Sequence, residues 1–115
     1  MEKIDLSNVI KVIDKFPEQC QKAIKLGTEV SKKIRIAKPK RVFVCGMGGS
    51  GIAGNILSGL YPDSNIRIFS DYTLPKYVKR GDLLFAVSYS GNTEETLAVF
   101  REARRRKCNI IGITS

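Results

Sequence analysis

The sequence contains no histidine, so an acid–base step that uses an imidazole cannot come from these 115 residues. Its three cysteines, Cys20, Cys45 and Cys108, are odd in number and form no CxxC pair, which argues against a disulfide framework and a zinc site. No apolar run is close to the length of about 20 residues that a helix needs to span a bilayer. The charged N-terminus lacks the apolar core of a signal peptide. These features predict a cytoplasmic protein with no bound metal and no membrane partner.

The excess of basic residues gives the chain a formal net charge of +9. Lysine and arginine are spread along the sequence, and their densest run, residues 104–107, falls where a helix is predicted to end. Cations at that position complement the negative end of the helix dipole. The charge therefore indicates a solvated basic surface or a weak attraction for anionic substrates, and we do not predict nucleic acid as a partner.

The arrangement of apolar residues changes near residue 40. Residues 1–40 form a helical segment, with Pro17 suited to the first turn of its second helix. Residues 41–115 alternate between short apolar strands and helices, which is typical of a parallel sheet covered on both faces. The predicted strands are 41–45, 66–70, 83–88 and 109–114, and the predicted helices between them are 52–60 and 93–107. Leu97, Phe100 and Ala103 are predicted to face inward from the second of these helices.

The predicted fold is thus a three-layer α/β fold with a parallel sheet of about four strands and additional N-terminal helices. The sequence stops at Ser115, as the fourth strand would release into its next loop. No helix follows to cover that strand, so we expect residues 41–115 to be the first part of an incomplete domain.

A glycine-rich loop, residues 46–51 (GMGGSG), follows the first predicted strand and opens a helix. Glycine lets the backbone approach an anion closely, and a helix N-terminus offers free N–H groups. The same loop matches the GxGxxG fingerprint of dinucleotide-binding folds, and Asp71 follows at about the distance of a ribose-binding acid. No Lys-Ser/Thr pair follows, which excludes a Walker loop. The loop alone leaves three interpretations open: a phosphate site, a dinucleotide site and a tight strand-to-helix turn that binds no ligand.

A second loop, residues 88–97 (SYSGNTEETL), follows the third predicted strand and opens the long helix. Asn92 and Glu95 have capping-box spacing, so part of this pattern is structural. A cap needs only one side chain, however, whereas Ser88, Ser90 and Thr93 place three hydroxyls around one helix start. Hydroxyls and backbone amides together can surround a phosphate dianion, and a dinucleotide site has no need of this second cluster.

The two loops together resemble the sugar isomerase (SIS) domain, and more narrowly the bifunctional phosphoglucose/phosphomannose isomerases. The stretch Asp71-Tyr72 with Leu74-Pro75 is similar to that subfamily, as is the final IIGITS of residues 110–115. The resemblance extends over essentially the whole chain but only about the first third of such an enzyme. It implies a SIS-type, flavodoxin-like fold.

The resemblance also implies an activity. Such enzymes interconvert glucose 6-phosphate or mannose 6-phosphate with fructose 6-phosphate, in glycolysis and gluconeogenesis, without a metal or organic cofactor. By position, the groups that hold the substrate phosphate are Gly48, Gly49, Ser50, Ser88, Ser90 and Thr93. The full-length form is expected to be a homodimer.

In the family the catalytic glutamate and the ring-opening histidine come from later in the chain, so we assign no catalytic residue here. Glu94 and Glu95 lie in a first helical turn, where acids complement the dipole, and we do not expect them to act as bases. The 115-residue chain is therefore expected to be inactive by itself. Two alternatives are a non-catalytic SIS domain that senses a sugar phosphate and a Rossmann-type dinucleotide-binding module.

Overall fold

A computed structural model describes residues 6–115, with side chains from residue 8 onward. The chain divides into a first unit that ends at Arg35 and a second unit, Ile36–Ser115. The first unit contains helices α1 (Leu6–Asp14) and α2 (Phe16–Lys33), and Pro17 lies at the start of α2 as predicted. No residue of α2 is buried. The predicted boundary at residue 40 between two domains remains a prediction.

The second unit is a parallel sheet with crossover helices. Its elements in chain order are β1 (Val42–Gly46), α3 (Gly49–Leu60), β2 (Ile66–Phe69), β3 (Leu83–Val87), α4 (Glu94–Arg105) and β4 (Asn109–Ile113). All three strand pairs are parallel, and the strands lie in the order β2-β1-β3-β4. The predicted α/β fold with a four-stranded parallel sheet is confirmed. The order is that of flavodoxin-like sheets, and it differs from the Rossmann order, in which the third strand pairs with the second.

The two crossovers leave the centre of the sheet in opposite directions, so right-handed connections place α3 and α4 on opposite faces. The side chains of β1 confirm this arrangement, since successive strand residues point to opposite faces. Val44 lies against Gly54 of α3, whereas Phe43 and Cys45 belong to the apolar core with Val99 and Ala103 of α4. The sheet is therefore the middle of three layers, and its larger core lies on the α4 side.

The buried face of α4 differs in part from the sequence prediction, which took Leu97, Phe100 and Ala103 as inward-facing. Ala103 is fully buried, but the other buried residues of this helix are Val99 and Thr96. Leu97 and Phe100 are only half-buried, with Phe100 at the edge of the core. Side-chain size suggested the larger residues, whereas the rotation of the helix buries the smaller ones.

Two arginines, Arg41 and Arg106, fix the segment between β2 and β3. From the sequence, both are only part of a basic surface. Arg41 makes a bidentate ion pair with the fully buried Asp82, with N–O distances of 3.0 and 2.8 Å. Arg106 donates to the carbonyl oxygens of Leu74, Pro75 and Val78. These contacts hold the segment against the core, and they give Arg106 a structural role that its position in the 104–107 run does not reveal.

Candidate functional site

The two predicted loops begin next to each other at the carboxyl edge of the sheet. Strands β1 and β3 are direct neighbours, and Gly46, the last residue of β1, is paired with Val87, the last residue of β3. The chain leaves β1 toward β2 and leaves β3 toward β4, so the sheet reverses its winding between these two strands. Ligands of open α/β sheets bind in the crevice at such a switch point.

The first loop is a tight strand-to-helix turn that opens to solvent at its tip. Gly48 has φ of 52°, a conformation that favours glycine, and Gly51 packs so closely that a Cβ would lie 2.8 Å from the carbonyl oxygen of Gly46. At Gly49 nothing lies within 4 Å of the position a Cβ would take. The loop is therefore crowded where α3 meets β1 and open at Gly48 and Gly49, where a ligand could approach the backbone.

Two of the amides that could serve an anion are already engaged. The N–H of Ser50 donates to the carbonyl of Met47 at 3.0 Å, and the N–H of Gly51 donates to the carbonyl of Gly48 at 3.1 Å. Ser50 itself is half-buried and lines a cleft. Its hydroxyl is thus the group of this residue best suited to a ligand, together with the exposed backbone of Gly48 and Gly49.

The second loop is organised around a pair of hydroxyls. The Oγ atom of Ser88 lies 2.8 Å from Oγ1 of Thr93, and it also accepts the N–H of Gly91 at 3.1 Å. Ser88 is buried, at 6% exposed, while Ser90 is exposed and its Oγ accepts the N–H of Asn92 at 3.2 Å. The loop thus brings two of the three predicted hydroxyls, those of Ser88 and Thr93, together at the start of α4, whereas the Ser90 hydroxyl contacts the neighbouring Asn92 amide.

The start of α4 corrects one structural expectation. The residue that caps the helix is Thr93 rather than Asn92, and its side chain makes no capping hydrogen bond. The Thr93 hydroxyl is bonded to Ser88 instead. The capping-box interpretation of Asn92 and Glu95 is therefore wrong, because the hydroxyl pair across the loop replaces the local cap.

A cleft of about 580 Å³ joins the two loops. Gly49 and Ser50 of the first loop and Tyr89 of the second line it, together with Met47 and Ile113. The volume lies in the range of small-molecule sites. Of the six predicted phosphate-binding residues, Gly49 and Ser50 line this cleft, whereas Gly48, Ser88, Ser90 and Thr93 do not. Tyr89 lies between the predicted binding serines Ser88 and Ser90, but only the structure shows that its ring is exposed at the cleft.

The acidic residues beside the cleft belong to the helix start. Glu94 and Glu95 lie in the first turn of α4, as predicted. The charge of Glu95 is the main cause that raises the pKa of the nearby Tyr72 phenol. Asp71, the residue at the position of a ribose-binding acid, uses its carboxylate to accept the N–H of Tyr72 at 2.7 Å. These contacts favour structural roles for the acids.

Within residues 6–115 no cluster of acidic or sulfur side chains could hold a metal ion. None of the helices in the same range is long and apolar enough to cross a membrane. Cys45 is fully buried in the core, and burial raises the pKa of its thiol to about 11. Cys45 thus packs in the core as a small apolar side chain.

The strand order and the two loops define an α/β domain with a candidate anion site at its switch point, and comparison with known proteins finds a family model that matches part of the chain. Residues 69–115 match the SIS domain family. This confirms the resemblance on which the loops were interpreted, and the match includes the whole second loop.

Curated relatives extend the similarity over most of the chain. The bifunctional phosphoglucose/phosphomannose isomerase of Caldicellulosiruptor bescii is 40% identical over 103 residues, which is 87% of this chain and 30% of that protein. The enzyme of the same name from Aquifex aeolicus is 38% identical over 96% of this chain and 33% of its own length. The 3-hexulose-6-phosphate isomerase of Methanocaldococcus jannaschii is 33% identical over 98% of this chain and 62% of its own length. The chain thus resembles an isomerase family, and it spans about a third of the length of the bifunctional enzymes.

Proposed function

We propose that this chain is the phosphosugar-binding portion of an aldose–ketose isomerase. The proposed reaction interconverts glucose 6-phosphate or mannose 6-phosphate with fructose 6-phosphate, and the proposed full-length form is a cytoplasmic homodimer. The names of the relatives support the reaction. The observation that carries the proposal is the Ser88–Thr93 hydroxyl pair at the start of α4. This pair comes directly after β3, and the glycine loop comes directly after β1, the strand that pairs with β3.

The proposed phosphate site has two halves. Gly48, Gly49 and Ser50 contribute exposed backbone and one hydroxyl, and Ser88, Ser90 and Thr93 contribute three hydroxyls at the start of α4. The positive end of the α4 dipole favours a dianion at this position. Hydrogen bonds from hydroxyls to a charged phosphate are shorter and stronger than those between neutral groups.

Binding of the phosphate would help catalysis by positioning the reacting carbons of the sugar. A phosphate held at the switch point fixes the distant end of the sugar, and that binding energy can orient the reacting carbons C1 and C2. We assign proton transfer to no residue described here, because Glu94 and Glu95 belong to the helix start and the chain has no histidine. We therefore expect binding of sugar phosphates by the 115-residue chain without measurable turnover.

Calorimetric titration with four ligands tests this proposal. Glucose 6-phosphate and inorganic phosphate are expected to bind, because both carry the group that the loops are proposed to hold. Glucose lacks the phosphate and is expected not to bind, and NAD is expected not to bind because the strand order is not that of a dinucleotide fold. Tight binding of NAD with no response to either phosphate ligand would overturn the proposal in favour of a dinucleotide site.

A further inference from the structure

Tyr89 combines a fixed backbone with a free side chain. Its carbonyl oxygen accepts hydrogen bonds from the segment after β4: the Ser115 N–H at 3.2 Å, the Ser115 hydroxyl at 2.7 Å and the Thr114 hydroxyl at 3.4 Å. Its ring nevertheless stays 81% exposed, more than any other large apolar or aromatic side chain of the described residues. The backbone contacts fix the point from which the ring projects, while the exposed ring itself is free to turn toward a ligand in the cleft.

The surroundings of this ring suit the organic part of a ligand better than its phosphate. Tyr89 shares the 580 Å³ cleft with Met47, Val87 and Ile113, which are apolar, and with Gly49 and Ser50 of the first loop. Gly49 and Ser50 bring the first half of the proposed phosphate site into this cleft, whereas Ser88, Ser90 and Thr93 do not line it, so a phosphate held between the two loops would occupy at most part of this volume. Thr114 and Ser115 complete the wall, so the cleft offers an aromatic ring and apolar side chains that match the C–H face of a sugar ring, and hydroxyls that suit its hydroxyl groups.

We propose that Tyr89 is a specificity-determining residue whose ring packs against the sugar of a hexose phosphate while the two loops hold the phosphate. This inference rests on the proposed function, since it needs a phosphate at Ser88, Ser90 and Thr93. It adds a ligand contact that is made through the sugar and is absent when inorganic phosphate binds alone.

Titrating four proteins with two ligands tests the inference. The proteins are the parent, Tyr89→Ala, Tyr89→Phe and the control Tyr61→Ala, whose exposed ring lies after α3 and does not line the cleft. Tyr89→Ala is expected to weaken binding of glucose 6-phosphate by about three- to tenfold, the usual value of an aromatic contact, and to leave binding of inorganic phosphate unchanged. Tyr89→Phe and Tyr61→Ala are expected to bind both ligands as the parent does. Since the Tyr89 ring is exposed, its removal should not alter the circular dichroism spectrum or the unfolding midpoint.

The possible failures are distinguishable. If Tyr89→Ala weakens neither ligand, or weakens both equally, the proposed function stands and the inference about the sugar contact is overturned. If Tyr89→Phe loses as much affinity for glucose 6-phosphate as Tyr89→Ala, the hydroxyl carries the contact and packing of the ring is overturned. If the parent binds neither ligand, the proposed function fails and the inference fails with it.

Discussion

Replacing Ser90 with alanine should weaken phosphate binding without weakening the fold. Ser90 is exposed, and within the described structure its hydroxyl accepts only the N–H of Asn92, at 3.2 Å. Loss of that exposed bond should change the free energy of unfolding by no more than about 0.5 kcal/mol. A hydrogen bond to a charged group is worth about 1.5–3 kcal/mol, so the dissociation constant for inorganic phosphate should rise by about ten- to a hundredfold.

Ser88→Ala provides the contrast, because Ser88 is buried and supports the loop itself. Its removal leaves the Thr93 hydroxyl without its partner at 2.8 Å and takes from the Gly91 N–H one of two acceptors, the other being the Ser88 carbonyl at 3.2 Å. We expect a loss of about 1–3 kcal/mol in the free energy of unfolding in addition to the loss of phosphate affinity. Urea unfolding and calorimetric titration measure the two effects. Ser64→Ala, in the turn before β2, is the matched control. Parent-like phosphate binding by both Ser88→Ala and Ser90→Ala would refute the assignment of the hydroxyl cluster.

Three further predictions concern the scaffold. Burial alone would raise the pKa of Asp82, but hydrogen bonds from Arg41 and a backbone N–H outweigh this effect and lower the pKa. The Arg41–Asp82 ion pair should therefore stabilise the fold above about pH 4 and lose that contribution as the pH falls through the lowered pKa. Asp82→Ala should therefore lower the free energy of unfolding by about 3 kcal/mol at pH 7, the low end for a broken buried pair because Arg41 is 22% exposed. The difference in urea midpoint between the variant and the parent should narrow as the pH falls below about 4, and equal stability at pH 7 would contradict this. Gly54→Ala should destabilise the fold by about 1–2 kcal/mol, because its Cβ would lie 2.9 Å from Val44. Gly59→Ala in the same helix meets nothing within 4 Å and should stabilise the fold by about 0.5–1 kcal/mol. If thermal unfolding showed a change of the same sign for both variants, the close packing of α3 would be wrong. Iodoacetamide at pH 8 should modify the exposed Cys20 and leave Cys45 unmodified until the protein is unfolded, because the Cys45 thiol is buried with a pKa of about 11; mass spectrometry of the native protein would contradict this if both thiols reacted at similar rates.

The fold was predictable from the sequence because its strands are short apolar runs separated by loops and helices. Val42–Gly46 and Leu83–Val87 are buried almost throughout, so their composition marks them as central strands of a parallel sheet. The positions of the two loops followed, since each comes directly after one of these strands. The order of the strands did not follow, because pairing of β1 with β3 is a contact between residues about 40 positions apart.

The parts that the sequence analysis missed depend on contacts across the fold. Arg106 looks like one more cation in a basic run, and only the carbonyls of Leu74, Pro75 and Val78, about 30 residues away, distinguish it. Thr93 as the cap of α4 was missed because local spacing favoured Asn92, whereas the bond to Ser88 decides where the Thr93 hydroxyl points. Tyr89 was passed over because an aromatic residue in a loop carries no sign of whether it will be buried.

The most direct test of the central claim is a phosphate titration of the ¹⁵N-labelled chain followed by NMR. The account predicts that inorganic phosphate shifts the backbone amide signals of residues 48–50 and 88–93 together, with a single dissociation constant, because both loops contact one anion. Signals of the basic run 104–107 should move only slightly and should lose that response as sodium chloride is added. Shifts confined to the basic run, or to one loop alone, would contradict the claim that the two loops form one phosphate site.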